Sequence, residues 1–182
     1  IRKHSHDFKD GGSQVGWNVT IDTTNELFTL FVSSKERPYA NLMTVLLNIN
    51  FADPVRFCAF LDKRGNIPKK VLLLYQGGEK PVSPKFQEKW LSRSLRKKLG
   101  ENKISREKGE AEIPLTEDEQ KKLVLLPDGK VDSTYPYVTQ NADEKSWSFD
   151  NWHNFLIDKM EEVVIPACNL AEESRKASRV MD

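Results

Sequence analysis

Near the C-terminal end, Phe149, Trp152, Phe155, Leu156, Met160, Val163, Val164, Ala167 and Leu170 recur at helical spacing and form one apolar stripe. Stripes of this kind are buried, in a core or between subunits, so the stretch from the 149 region to about 171 predicts a long amphipathic helix. Pro166 lies inside it, lacks the N–H of a helical ladder, and predicts a kink or break.

The segments before the stripe predict strands and shorter helices. Residues 1–15 are polar and glycine-bearing and read as an arm. Apolar residues then alternate in Trp17-Asn18-Val19-Thr20-Ile21-Asp22, the period of a half-buried strand. After a turn at Thr23-Thr24-Asn25, Phe28, Leu30 and Val32 share one face of a second strand, and Thr29, Phe31 and Ser33 the other. From Leu42 to Phe51 the alternation returns, with Met43, Val45, Leu47, Ile49 and Phe51 on one side. Together these predict an antiparallel meander.

Asp53-Pro54 has the form of a helix start, with Phe57, Cys58 and Leu61 following and a stop at Lys63-Arg64-Gly65. Lys69 to Gln76 predicts a strand, and Ser83-Pro84 a second helix that Gly100 closes. Residues 101–112 are charged and aperiodic and read as an insertion. Thr116 with Glu119 fits a capping box. Leu123 to Val138, with Pro127-Asp128-Gly129 between, predicts a hairpin. The organisation expected is a 1–15 arm, one α+β domain over 16–175 with a charged insertion near 101–112, and a 176–182 tail.

Charge is unevenly spread along the chain. The net formal charge is +1, yet residues 79–108 carry ten Lys/Arg against four Asp/Glu, and residues 109–182 carry eight against sixteen. A basic first part points to a polyanionic partner; the plain alternative is a solvated basic helix balanced by an acidic one. No apolar run approaches the ~20 residues of a membrane span, so the chain is expected to be soluble. It opens on Ile1 rather than Met, as a processed or trimmed chain does. Cys58 and Cys168 lie far apart in apolar surroundings and are expected as reduced, buried thiols.

The residues of catalysis do not assemble in sequence. His4 and His6 stand in the expected arm without a cysteine pair, and His153 has no nucleophile elbow to serve. The glycine pairs at 11–12 and 77–78 lack the rest of a phosphate loop. Asp62, Glu79 and Lys80 are the remaining candidates for a metal-dependent nuclease. We expect no catalytic residue, no metal and no cofactor.

Binding of a single strand needs cations for phosphates and flat apolar groups for bases. Lys35, Arg37, Lys69 and Lys70 supply cations at strand ends, and Arg93, Arg96, Lys97 and Lys98 supply them on a helix. Phe31, on the more polar face of its strand, is the leading stacking group, followed by Trp17, Tyr75, Tyr135 and Tyr137.

Two stretches bear a family likeness. Trp152-His-Asn-Phe155-Leu156-Ile157-Asp-Lys-Met160-Glu-Glu-Val163-Val164-Ile165-Pro166 resembles the last helix of the Whirly fold, with aromatic–Leu–Ile and then a Val pair close before proline. Three expected strands and then Asp53-Pro54-Val55-Arg56-Phe57-Cys58 are similar in order to that family's first half. The lysine-glycine-lysine of its plant members is absent before Trp17, so the likeness is nearer to the kinetoplastid mitochondrial guide-RNA-binding branch.

The resemblance implies antiparallel sheets each followed by a helix, and an oligomer assembled through Trp152, Leu156, Met160, Val163 and Val164. It also implies a mitochondrial protein that pairs with a copy or paralogue of itself, holds RNA on sheet faces and promotes annealing of guide and message. The rival expectation is a protein-interaction module of viral or mobile-element origin that uses the C-terminal helix.

Overall fold

The computed structural model describes residues 1–7, 13–22, 26–33, 37–64 and 69–181; the side chains of 2–7, 13–15, 22, 33, 37–39, 70 and 179–181 lie outside the description. The chain is of the α+β class, with small antiparallel sheets and a C-terminal helix. Where one domain is expected, it divides into two compact units, Ile1–Gln87 with Leu156–Asp182, and Glu88–Phe155.

The first unit opens on β1 (Arg2–Asp7), β2 (Ser13–Asp22) and β3 (Leu27–Ser33), an antiparallel sheet in that order. The expected arm is therefore largely strand, paired from Arg2↔Asn18 to Asp7↔Ser13. Polar composition concealed it, because ladder bonds are made by the backbone and ask little of side chains. Alternation was a sound guide in β2 and β3. Trp17 pairs with Val32 and Val19 with Leu30; Trp17, Val19 and Val32 are buried.

The expected third strand is instead α1 (Arg37–Leu46). Ala40, Leu42, Met43 and Leu46 are all buried, and the strand reading had left Leu46 on the outer face. Ala, Leu and Met favour helix intrinsically, and an apolar run of this length satisfies both periods. α1 packs on β3 and on the later strand over Lys69–Tyr75.

The helix expected from Asp53 is strand β4 (Arg56–Asp62), paired antiparallel with β5 (Lys69–Tyr75). Asp53 caps nothing downstream: its carboxylate accepts from Asn50 Nδ2 at 2.7 Å, within a turn that its own N–H closes on the Asn50 carbonyl at 3.1 Å. The aromatic Phe57 and Phe60 that follow suit a pleated surface. Gln76 fixes this corner, accepting from the Asn50 N–H at 2.9 Å and donating to the Asn50 carbonyl at 2.7 Å. Cys58 and Cys168 are free and half-buried.

The second unit contains β6 (Trp90–Leu91), α2 (Arg93–Lys108), α3 (Glu117–Lys121), β7 (Val138–Gln140) and β8 (Trp147–Ser148). β6 pairs parallel with β7, and β7 antiparallel with β8. The helix expected over 84–99 starts later, because Ser92 rather than Ser83 is its cap and accepts from the Leu95 N–H. It also runs through Gly100 and most of the expected insertion. Gly109, at φ 73°, ends it: the Gly109 N–H bonds to the Arg106 carbonyl and the Glu110 N–H to the Ser105 carbonyl.

Asn102 explains why so polar a segment stays helical. Buried on α2, it donates to the Ile113 carbonyl at 2.9 Å and accepts from the Ile113 N–H at 2.8 Å, pairing with an extended backbone as a strand would. The Thr116–Glu119 capping box forms as expected. The turn at Pro127-Asp128-Gly129 also forms, with a bridge between Leu125 and Val131. Leu91, Leu95, Leu123 and Tyr137 make the core of this unit, and the Tyr137 hydroxyl accepts from the Val124 N–H at 2.8 Å.

The chain ends in α4 (Asp150–Lys159), a π turn (Met160–Val164) and α5 (Ile165–Met181). The expected tail is thus the end of α5. Pro166 does not break the helix, because the turn before it is widened, with the Ile165 N–H reaching back to the Met160 carbonyl. Trp152, Leu156, Met160 and Val164 are buried within this chain, which removes them from the expected subunit interface. Of the five residues expected there, Val163 stays on the surface, 41% exposed.

Replacing Asn102 by Ala leaves the Ile113 N–H and carbonyl without their partners. Urea unfolding of N102A is expected to show a loss of roughly 2 kcal/mol. An unchanged midpoint would mean that the clamp contributes nothing.

Candidate nucleic-acid interface

Cross-strand pairing in the β4–β5 hairpin sorts its side chains into two faces. Phe57 and Leu74 share one face, and Leu74 is buried. The other carries Arg56, Cys58, Phe60 and Asp62 from β4, with Tyr75, Leu73, Val71 and Lys69 opposite them. On this face Phe60 is 45% exposed, and Arg56 and Lys69 are exposed as well. An open aromatic ring thus lies between two cations. Lys69 holds the position expected of it. Arg56 and Phe60 were missed, because a helical reading of 53–64 gives them no cross-strand partner, and only the β4–β5 ladder brings Lys69 to their face. The clue was the aromatic content, Phe57 and Phe60 in the first run and Tyr75 in the second.

The other expected strand-end cations lie at the limit of the description. Lys35 falls outside the described residues, as do the side chains of Arg37 and Lys70. Phe31 does face outward, opposite Asn18, and is 37% exposed. Its ring lies over Gly16, where a Cβ would come within 2.6 Å of Phe31 Cζ and of the Val32 carbonyl oxygen. Trp17 and Tyr137 are buried and offer no stacking surface.

On α2 the four expected cations separate. Lys98 is 19% exposed and holds Glu119 at 2.7 Å. Arg93 turns to the Ala142 carbonyl at 2.9 Å and to Glu144 at 3.4 Å. Arg96 and Lys97 remain on the exposed face, Lys97 beside Glu101 at 3.8 Å. Lys103 is exposed too, two turns beyond Arg96. Gly100 between them has no neighbour within 4 Å of a notional Cβ, so the helix backbone is open there. Lys103 was hidden by reading its segment as an insertion.

Folding levels the charge. The first unit has sixteen Lys/Arg against fourteen Asp/Glu and the second twelve against thirteen, so the basic and acidic runs of the sequence largely offset each other within each unit. Arg106 bonds Glu112 through two nitrogens at 2.9 Å, which holds the Glu112 carboxyl below its usual range. Lys98, and then the Thr116 N–H, do the same for Glu119.

The acidic candidates for cleavage chemistry are engaged or scattered. Both Asp62 oxygens accept from Arg64, at 2.9 Å each. Among the described residues no three His, Cys, Asp or Glu side chains gather as metal ligands, and no helix is long and apolar enough to cross a membrane. His153 stacks on Phe149 with ring centroids 5.8 Å apart.

Comparison with known protein families, with curated proteins and with solved structures finds no match in any of the three.

The Arg64 bonds lower the Asp62 pKa to about 2 from its ordinary 3.8. A lowered carboxyl favours the folded form above the ordinary value, and that contribution is lost as pH falls from about 4 to about 2. NMR titration is expected to place Asp62 near the low end, and Arg64→Gln to return it toward 3.8. An Asp62 that titrates normally in the unmodified protein would exclude the forked pair.

Proposed function

We propose that the protein is a non-catalytic binder of single-stranded nucleic acid, RNA before DNA, acting without metal or cofactor. One observation carries this reading: the outer face of the β4–β5 hairpin sets the exposed Phe60 ring between Arg56 and Lys69. A sheet face with a free ring and flanking cations lets splayed bases lie flat while phosphates meet positive charge. Arg96, Lys97 and Lys103 on α2 offer a second run of exposed cations, with Gly100 leaving room for close approach. Contacts of this kind hold phosphates with little sequence choice.

A Whirly-like assignment rests on the sequence pattern, with support from the three-stranded sheet leading into α1 and from the long C-terminal helix. The annealing of guide RNA to message in a mitochondrion, beside a copy or paralogue, follows from that resemblance. A protein-interaction module built on the C-terminal helix has less support, because Trp152, Leu156, Met160 and Val164 of the stripe are buried, which leaves Val163, Ala167 and Leu170 exposed.

Anisotropy with a labelled single-stranded RNA, titrated across salt, tests the reading. Log affinity is expected to fall linearly with log salt, and K69A to lower the slope by about 0.7. Removing the Phe60 ring is expected to weaken binding about tenfold, within the range of base–aromatic stacking. Lys98→Ala is expected to lower stability and leave affinity intact. No binding at low salt, or a flat salt response, would exclude the function.

A further inference from the structure

At the end of the β4–β5 hairpin where Arg56 pairs with Tyr75, the surface carries a shallow, open cleft of about 310 Å³ lined by Pro54, Val55, Arg56, Tyr75, Gly77 and Gly78. The Arg56 guanidinium lies over the Tyr75 ring, 4.3 Å from its centroid. A cation–π contact of this kind restrains the guanidinium on the ring while N–H groups directed away from it stay available. No described carboxylate pairs with Arg56, although carboxylates take Arg64, Arg93 and Arg106.

The opposite wall is bare backbone. Gly77 has φ +68°, a conformation that favours glycine, and a Cβ at either Gly77 or Gly78 would meet nothing within 4 Å. Among the described residues, the N–H groups of Gly77 and Gly78 donate to no backbone acceptor, whereas the Val82 N–H returns to the Leu74 carbonyl at 2.7 Å. The paired bonds between Gln76 and Asn50 brace this wall against the turn before β4. Pro54 and Val55 add an apolar side. Glu79 and Lys80, just beyond, are exposed and opposite in charge.

The geometry points to a mononucleotide-sized subsite in this cleft, with the phosphate on the Arg56 edge and the Gly77–Gly78 amides, and the base against the Arg56 plane and the apolar wall. A guanidinium edge and adjacent backbone amides suit phosphate. A guanidinium plane backed by a phenol ring offers a base a flat face. The volume is at the small end for ligand sites, which suits one nucleotide. The subsite rests on the proposed single-strand reading and extends it: Phe60 and Lys69 would contact neighbouring nucleotides along the same face.

The test is NMR of the full chain titrated separately with adenosine monophosphate, adenosine, inorganic phosphate and acetate. The monophosphate is expected to shift the Gly77 and Gly78 amides and the Arg56 Nε–H saturably, with the other three at least about tenfold weaker. R56A should abolish the shifts; the site is exposed, and unchanged spectra elsewhere would verify the fold. Shifts as strong with acetate or phosphate alone would overturn the subsite. So would RNA binding that depends on Phe60 while the monophosphate leaves the cleft unmoved, although the single-strand reading would then stand. The converse result, a saturable monophosphate site in a protein that binds no RNA, would uphold the subsite and remove the broader function.

Discussion

Pro166 and the π turn before it set the register of the C-terminal helix. A proline in a regular helix has no N–H to give and presses its ring on the carbonyl four residues back, here that of Glu162. Widening the turn over Met160–Val164 avoids the collision without ending the helix. Leu156, Met160 and Val164 then recur every fourth residue and are all buried, while Val163 is carried to the surface. Without the widened turn the chain would need either a sharp kink or a different buried set. Trp152, Leu156, Met160 and Val164, which looked available for assembly, are taken up by the protein's own interior.

Charge follows a similar course. Along the sequence the basic run of 79–108 and the acidic run after it look like separate features. In the fold, Lys98 meets Glu119, Arg106 meets Glu112, and Arg93 meets the turn that carries Glu144. The exposed pairs of Arg93 and Arg106 contribute little to stability and the less exposed Lys98–Glu119 pair more, but all three remove cations from the supply available to a polyanion. What remains open is selective: Arg96 and Lys103 on one helix, where Lys97 is held beside Glu101, and Arg56 and Lys69 on one hairpin. The proposed function therefore depends on where unpaired cations adjoin flat groups, and much less on the charge of any segment.

The hairpin is the place where pairing makes the site. Arg56 and Tyr75 are nineteen positions apart in the chain and directly opposite in the ladder. Neither is unusual alone, and it is the cross-strand register that lays the guanidinium on the ring. The same register puts Phe60 and Lys69 on the face that bears them.

Some of this was decided locally and could be read from residues alone. Strict alternation in Trp17-Asn18-Val19-Thr20-Ile21 specifies a strand, because only that period sets those three apolar side chains on one face. Thr116 and Glu119 specify a cap, and Gly129 a turn, since each acts within a few bonds. The apolar stripe from Phe149 specifies a helix. Tertiary structure decided the rest. The 42–46 run and the 53–62 run each fit two periods, and only their packing and pairing partners chose helix for one and strand for the other. Polar segments 2–7 and 101–108 carry no periodic signal; β2 orders the first, while α2 carries the second as far as Gly109, with Asn102 clamped to Ile113. The candidate site belongs to this second group, because a hairpin face exists only once its register is set.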